Sequence, residues 1–214
     1  VDNARMLTKA QACLDGYLRQ FTTEPPRSVI IYALCVAEHE TRCGDAWPGE
    51  HNWGACTARP LKLSEIAKYM QAGLKPGEPK DEPKAKKLLD QPGLALHRDS
   101  APKQGWYYTY FASFKYDVDG AEYLVKMLYK QRPRCLASAI ADCGVQDLAK
   151  EMYNSRYYTG VHQDAASNIA DYGKSLSTLQ PQIEAALVGW FDDKAPNHEL
   201  GPTDPTSDGS ESSA

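Results

Sequence analysis

Met6, Leu7, Ala10, Cys13, Leu14, Tyr17 and Leu18 recur at the spacing of a single helical face, which predicts an amphipathic first helix over residues 3–20. Thr22, Thr23 and the Pro25-Pro26 pair end it. A second helix over residues 27–41 is apolar on most of its circumference, so it belongs in the middle of the domain. Ser64 and Gly73 bracket a third helix over residues 65–72. The stretch 75–105 carries five prolines and mixed charges, and reads as a long loop with one short helix near residues 84–90. Residues 106–114 are dense in aromatics and predict a short strand. Helical periodicity resumes after Gly120, where Ala121, Leu124, Val125, Leu128 and Tyr129 share a face that ends at Pro133. Further helices are predicted over 136–142, 145–153 and 165–187, the last with a break at Pro181. The expected fold is mainly α, α+β at most: one helical domain over residues 1–191 with a small irregular or β segment. Residues 192–214, with three prolines and no aromatic, read as a flexible acidic tail.

Charge changes this picture only by division. The tail holds six acids and one lysine, whereas residues 1–191 hold 23 basic and 22 acidic side chains. A nearly neutral body without a basic stripe argues against nucleic acid as a partner. No apolar run approaches the roughly 20 residues of a membrane span. Six cysteines without a CxxC spacing point to disulfides and an oxidising compartment. The expected pairs are Cys13 with Cys35, Cys43 with Cys56, and Cys135 with Cys143.

Chemistry concentrates between Ala33 and Ala55. Advancing 100° per residue, Glu40 falls within about 20° of Val29 and Ala33, so it ends an apolar stripe. A carboxyl group there loses solvation when charged, which raises its pKa and suits a general acid. The competing structural reading makes Glu40 a helix-end ion pair to Arg42 or a nearby lysine. The turn that follows carries Gly44, Trp47, Gly49, Asn52, Trp53 and Gly54, a set able to wall a sugar-binding cleft.

Glu40-Thr41-x-x-Gly44 followed by Asn52-Trp53-Gly54-Ala55 resembles the catalytic helix and turn of the lysozyme-like superfamily, closest to its glucosaminidase and flagellar-muramidase branch. Tyr110-Phe111-Ala-Ser-Phe114, Asp119-Gly120-Ala-Glu-Tyr-Leu, Tyr157-Tyr158-Thr159 and Tyr172-Gly-Lys-Ser-Leu176 follow in that branch's order. The resemblance implies a lysozyme-like helical domain that cleaves the β-1,4 bonds of peptidoglycan outside the cytoplasm, whether secreted, periplasmic or virion-associated. Glu40 would be the acid and Tyr157 would support the transition state. Asn52, Trp53, Trp47 and Tyr158 would bind sugar, and Tyr158 could exchange roles with Tyr157. No cofactor or metal is implied. The expected partners are peptidoglycan strands and an immunity or delivery protein, with the chain a monomer.

A second carboxylate has no clear position. Glu50 and Asp45 are the leading candidates, with Glu65 and Glu78 behind them; this leaves hydrolysis and lytic transglycosylation both open. Two other readings compete. His39-Glu40-Thr41-Arg42-Cys43 is one letter from a zincin helix, with His39 and Cys43 at i and i+4. A non-catalytic lysozyme-like module would bind glycan without cutting it.

Overall fold

The computed structural model describes residues 2–46, 49–75, 77–101 and 105–192. The expected tail beyond Asp192 and the candidate Trp47 lie outside the described residues. Eight α-helices and one small antiparallel sheet make up the described chain: α1 (Asn3–Gln20), α2 (Arg27–Thr41), β1 (Thr57–Pro60), α3 (Leu63–Gln71), α4 (Glu82–Leu88), β2 (Leu94–Ala101), β3 (Gly105–Ala112), α5 (Asp117–Val125), α6 (Pro133–Ile140), α7 (Val145–Asn154) and α8 (Ala165–Ala186). The mainly helical reading therefore holds.

The first two helices fall on their predicted residues because their patterns are unambiguous. Asp2 caps α1 by accepting a hydrogen bond from the Arg5 amide at 2.7 Å. Ser28 to Ala37 of α2 are buried without interruption, and α1, α5, α6 and α8 close around them. Burying each large aliphatic side chain there contributes about 1.5–3 kcal/mol before ordering entropy is subtracted. A second, smaller core lies under the sheet, where Tyr69 and Leu74 meet Ala85, Leu89, Leu96, Tyr108 and Tyr110.

Three expectations need correction. The stretch 75–105 is not a long loop, since β2 runs through its second half and pairs in register with β3 from Leu94–Ala112 to Ala101–Gly105. β1 adds to the other side of β3, giving the order β1-β3-β2. Pro181 does not break α8, which continues through it at the loss of one backbone donor. None of the three expected disulfides is formed, and all six cysteines stand as free thiols. Cys13 and Cys35 are instead core residues, and the Cys43 thiol lies 3.5 Å from the Glu38 carboxylate.

The segment between α2 and β1 is held against the helices by charge and by close packing. Lys9 of α1, only 4% exposed, binds both Asp45 and Asp117 at 2.7 Å. Asp117 also accepts from His51 Nδ1 at 2.9 Å and Trp53 Nε1 at 3.1 Å. Gly120 of α5 lets the His51 carbonyl approach so closely that any side chain there would overlap it.

Candidate active site

Glu40 sits in the last turn of α2, where the buried helix delivers it to the meeting point of three other segments. The reversal that follows is built from local chemistry. Arg42, Cys43 and Gly44 are successively left-handed, with φ of 52°, 53° and 81°. Thr41, itself buried, accepts the Gly44 amide through its hydroxyl at 2.9 Å. This gives the Glu-Thr-x-x-Gly spacing a physical reason: threonine satisfies the amide that glycine exposes at the turn.

Six non-glycine residues among the described ones have positive φ, and five of them border this region: Arg42, Cys43, His51 and Ala55 in the segment after Glu40, and Arg156 immediately before Tyr157. Each costs on the order of 1 kcal/mol, and such strain collects where a fold must place side chains against local preference.

The Glu40 carboxyl is half-buried. Tyr172 of α8 donates its hydroxyl proton to Glu40 Oε1 at 2.5 Å. Burial pushes the Glu40 carboxyl above its ordinary value, and the hydrogen bond from Tyr172 draws it part of the way back. Behind Tyr172, the Tyr158 ring stacks at 4.1 Å and 11°, while His39 meets it edge-on at 4.7 Å. Burial holds His39 below its ordinary pKa.

Tyr157 also reaches the site, close enough to feel the charge of Glu40. Its hydroxyl is buried and has no hydrogen-bond partner among the described residues. Desolvation raises its pKa far above the usual range, with the charges of Cys56 and Glu40 adding to the effect, so it stays a neutral phenol. The Arg132 guanidinium lies over its ring at 5.2 Å. Gly54 makes this approach feasible: a methyl group on it would come 2.8 Å from the Tyr157 hydroxyl and 3.0 Å from the Cys56 sulfur. Glu40 and Tyr157, singled out separately in the sequence, are thus brought together.

The expected sugar-binding residues fare differently. Trp53 is 0% exposed and belongs to the helical core, with its indole N–H spent on Asp117. Asn52 is equally buried and clamps the turn, accepting the Cys56 amide at 3.0 Å and donating to the Cys56 carbonyl at 3.1 Å. Neither has surface to offer a saccharide. Tyr158 gives its hydroxyl to the Ala149 carbonyl at 3.0 Å, but one edge lines a hollow of about 250 Å³ with His39, Val161, His162 and Tyr172.

Of the carboxylate candidates, Asp45 is bound to Lys9 and Arg5; although burial pushes its carboxyl up, those hydrogen bonds hold it below the ordinary value. Glu65 is held at about 2, chiefly by the hydrogen bond from Arg59. Glu78 lies by the 3₁₀ turn Pro79–Asp81 and takes the Tyr108 hydroxyl on its backbone carbonyl. Glu50 is exposed on a cleft of about 620 Å³ that runs from Gly44 and Asp45 to the start of β2, ending at Lys86 and His97. Glu40 itself lines neither opening. It meets the smaller through Tyr172 and the larger through the turn that starts at Gly44.

His39 and Cys43 turn to different partners, Tyr172 and Glu38, and no three His, Cys, Asp or Glu side chains converge among the described residues. No helix there is long and apolar enough to cross a membrane. Sequence reasoning missed Tyr172 and Arg132 as neighbours of the site. Tyr172 stood inside a quoted motif without a role, and nothing in the sequence marked Arg132. No known family model, curated protein or solved structure matches the chain.

Proposed function

We propose that this protein is a lysozyme-like glycosidase that cleaves the β-1,4 bonds between N-acetylmuramic acid and N-acetylglucosamine in peptidoglycan, with Glu40 as the general acid. The observation that carries this reading is the half-buried Glu40 carboxyl beside the partnerless, buried Tyr157 hydroxyl, in a region where the backbone is strained. A carboxyl whose burial makes it hold its proton more tightly than an ordinary glutamate can protonate the leaving oxygen. As that bond breaks, positive charge develops on the sugar ring; the Tyr157 hydroxyl is buried in this arrangement and would have to be uncovered to face it. The 620 Å³ cleft along β2 is large enough to receive the rest of the chain.

A second reading follows from how few of the candidate carboxylates are free. Asp45 and Glu65 are committed to cations, which leaves Glu50 as the candidate open to the cleft. If Glu50 serves no reacting atom, Glu40 acts twice. After giving its proton to the leaving oxygen it takes the proton of the sugar's own 6-hydroxyl, and that oxygen closes on C1 to give an anhydro end, as in a lytic transglycosylase.

The test is the clearing of peptidoglycan suspensions by wild type and by Glu40→Gln, followed by mass analysis of the fragments. Glu40→Gln is expected to lose about 10²–10⁴ in rate. Reducing ends identify hydrolysis, and anhydro ends identify transglycosylation. Wild-type inertness on several wall types would leave a glycan-binding module in its place.

A further inference from the structure

Glu40 has two oxygens, and only one of them is assigned by the geometry. Tyr172 Oη donates to Oε1, so in the neutral acid Oε1 is the carbonyl oxygen and the proton rests on Oε2. The donor is itself fixed. Tyr158 covers one face of the Tyr172 ring, His39 presses on it edge-on, and Tyr158 is anchored to α7 through the Ala149 carbonyl. Tyr153 adds an edge contact to Tyr158 at 5.5 Å. A column of rings therefore runs from α7 to the carboxyl at the end of α2.

We infer that Tyr172 is a positioning residue: it selects which Glu40 oxygen carries the proton and holds that proton toward the substrate. The inference rests on the reading of Glu40 as an acid and adds a residue to it. The groups facing Glu40 are Tyr172 from α8, Tyr157 from the segment after α7, and Cys56 from the segment before β1, with Arg132 behind Tyr157. Burial makes all three facing groups neutral, so the hydrogen bond from Tyr172 is the interaction that favours the carboxylate. Losing it weakens the acid and frees the carboxyl to rotate.

Tyr172→Phe keeps the ring column and removes the donor. The experiment follows the Glu40 side-chain carboxyl by ¹³C NMR titration, its signal assigned by its loss in Glu40→Gln, alongside wall clearing as a function of pH. In Tyr172→Phe the titration midpoint moves up, the alkaline limb of the rate profile moves up with it, and kcat falls roughly 10–100-fold while KM is unchanged. Tyr158→Phe, which loses only the bond to Ala149, leaves the Glu40 midpoint where it was. A purely structural tyrosine would lower the rate without moving either midpoint, and that result overturns the inference. A midpoint that moves in Tyr172→Phe while the wild type cuts no wall upholds the proton placement and sinks the glycosidase.

Discussion

Two glycines inside helices provide a test of the packing that shapes the site, because they differ in what stands opposite them. At Gly120 in α5, a methyl group would overlap the His51 carbonyl oxygen and lie 2.9 Å from its carbon and 3.0 Å from Trp53 Cδ1. Those atoms are backbone and a buried ring tied to Asp117, so relief requires the segment after Glu40 to move by more than an ångström. At Gly173 in α8, the methyl group meets only the end of the Gln146 side chain, which can swing away. Replacing glycine by alanine in a helix interior gains about 1 kcal/mol from propensity. Forced overpacking costs typically 1–3 kcal/mol, and more where backbone must shift. Gly120→Ala is therefore expected to lose about 2–4 kcal/mol, or roughly 5–15 °C in Tm for a chain of this length. Gly173→Ala breaks the Gln146–Ser177 hydrogen bond and regains propensity, for a net change near zero. Thermal unfolding by circular dichroism measures both. A Gly120→Ala protein that melts at or above the wild-type temperature would refute the seating of this segment on α5.

Two more outcomes follow from the buried groups. The folded-state pKa of Glu40 lies above its unfolded value, so its contribution to stability is complete below the ordinary carboxylate range and is lost as pH rises through the raised value. Glu40→Gln lacks this loss, so its Tm relative to wild type should be higher at pH 8 than at pH 4; an offset that is constant with pH contradicts a buried acid. Burial pushes the Cys13 and Cys56 thiols up to about 12, while Cys143 is exposed, so a thiol reagent should label one cysteine rapidly in native protein and six after denaturation without reductant. Fewer than six in the denatured chain would restore the disulfides.

Local patterns made part of this molecule readable in sequence. The 3.6-residue period defined α1 and α2 to the residue, and the same period put Glu40 on the buried stripe. β2 was hidden because Leu94 to Ala101 neither alternates nor avoids charge; its strand geometry comes from pairing along β3, a partner that composition does not reveal. Trp53 looked like a surface ring in a glycine-rich turn, yet its N–H finds Asp117 64 residues away, which makes burial affordable. Tyr172 lies 132 residues from Glu40, and no local signal specifies a hydrogen bond across that separation. Asp45 carried the right chemistry for a second carboxylate, but two cations from α1 had already claimed it.

Those two cations have a wider consequence. Arg5 hydrogen-bonds the Arg42 carbonyl and pairs with Glu38 and Asp45, and Lys9 holds Asp45 and Asp117. The opening turns of α1 thus act as a brace for the bend after Glu40, more than thirty residues downstream. Anyone shortening the protein or grafting it onto another scaffold would have to keep Arg5 and Lys9 in register, because trimming the first helix would slacken the bend without removing a single atom of Glu40.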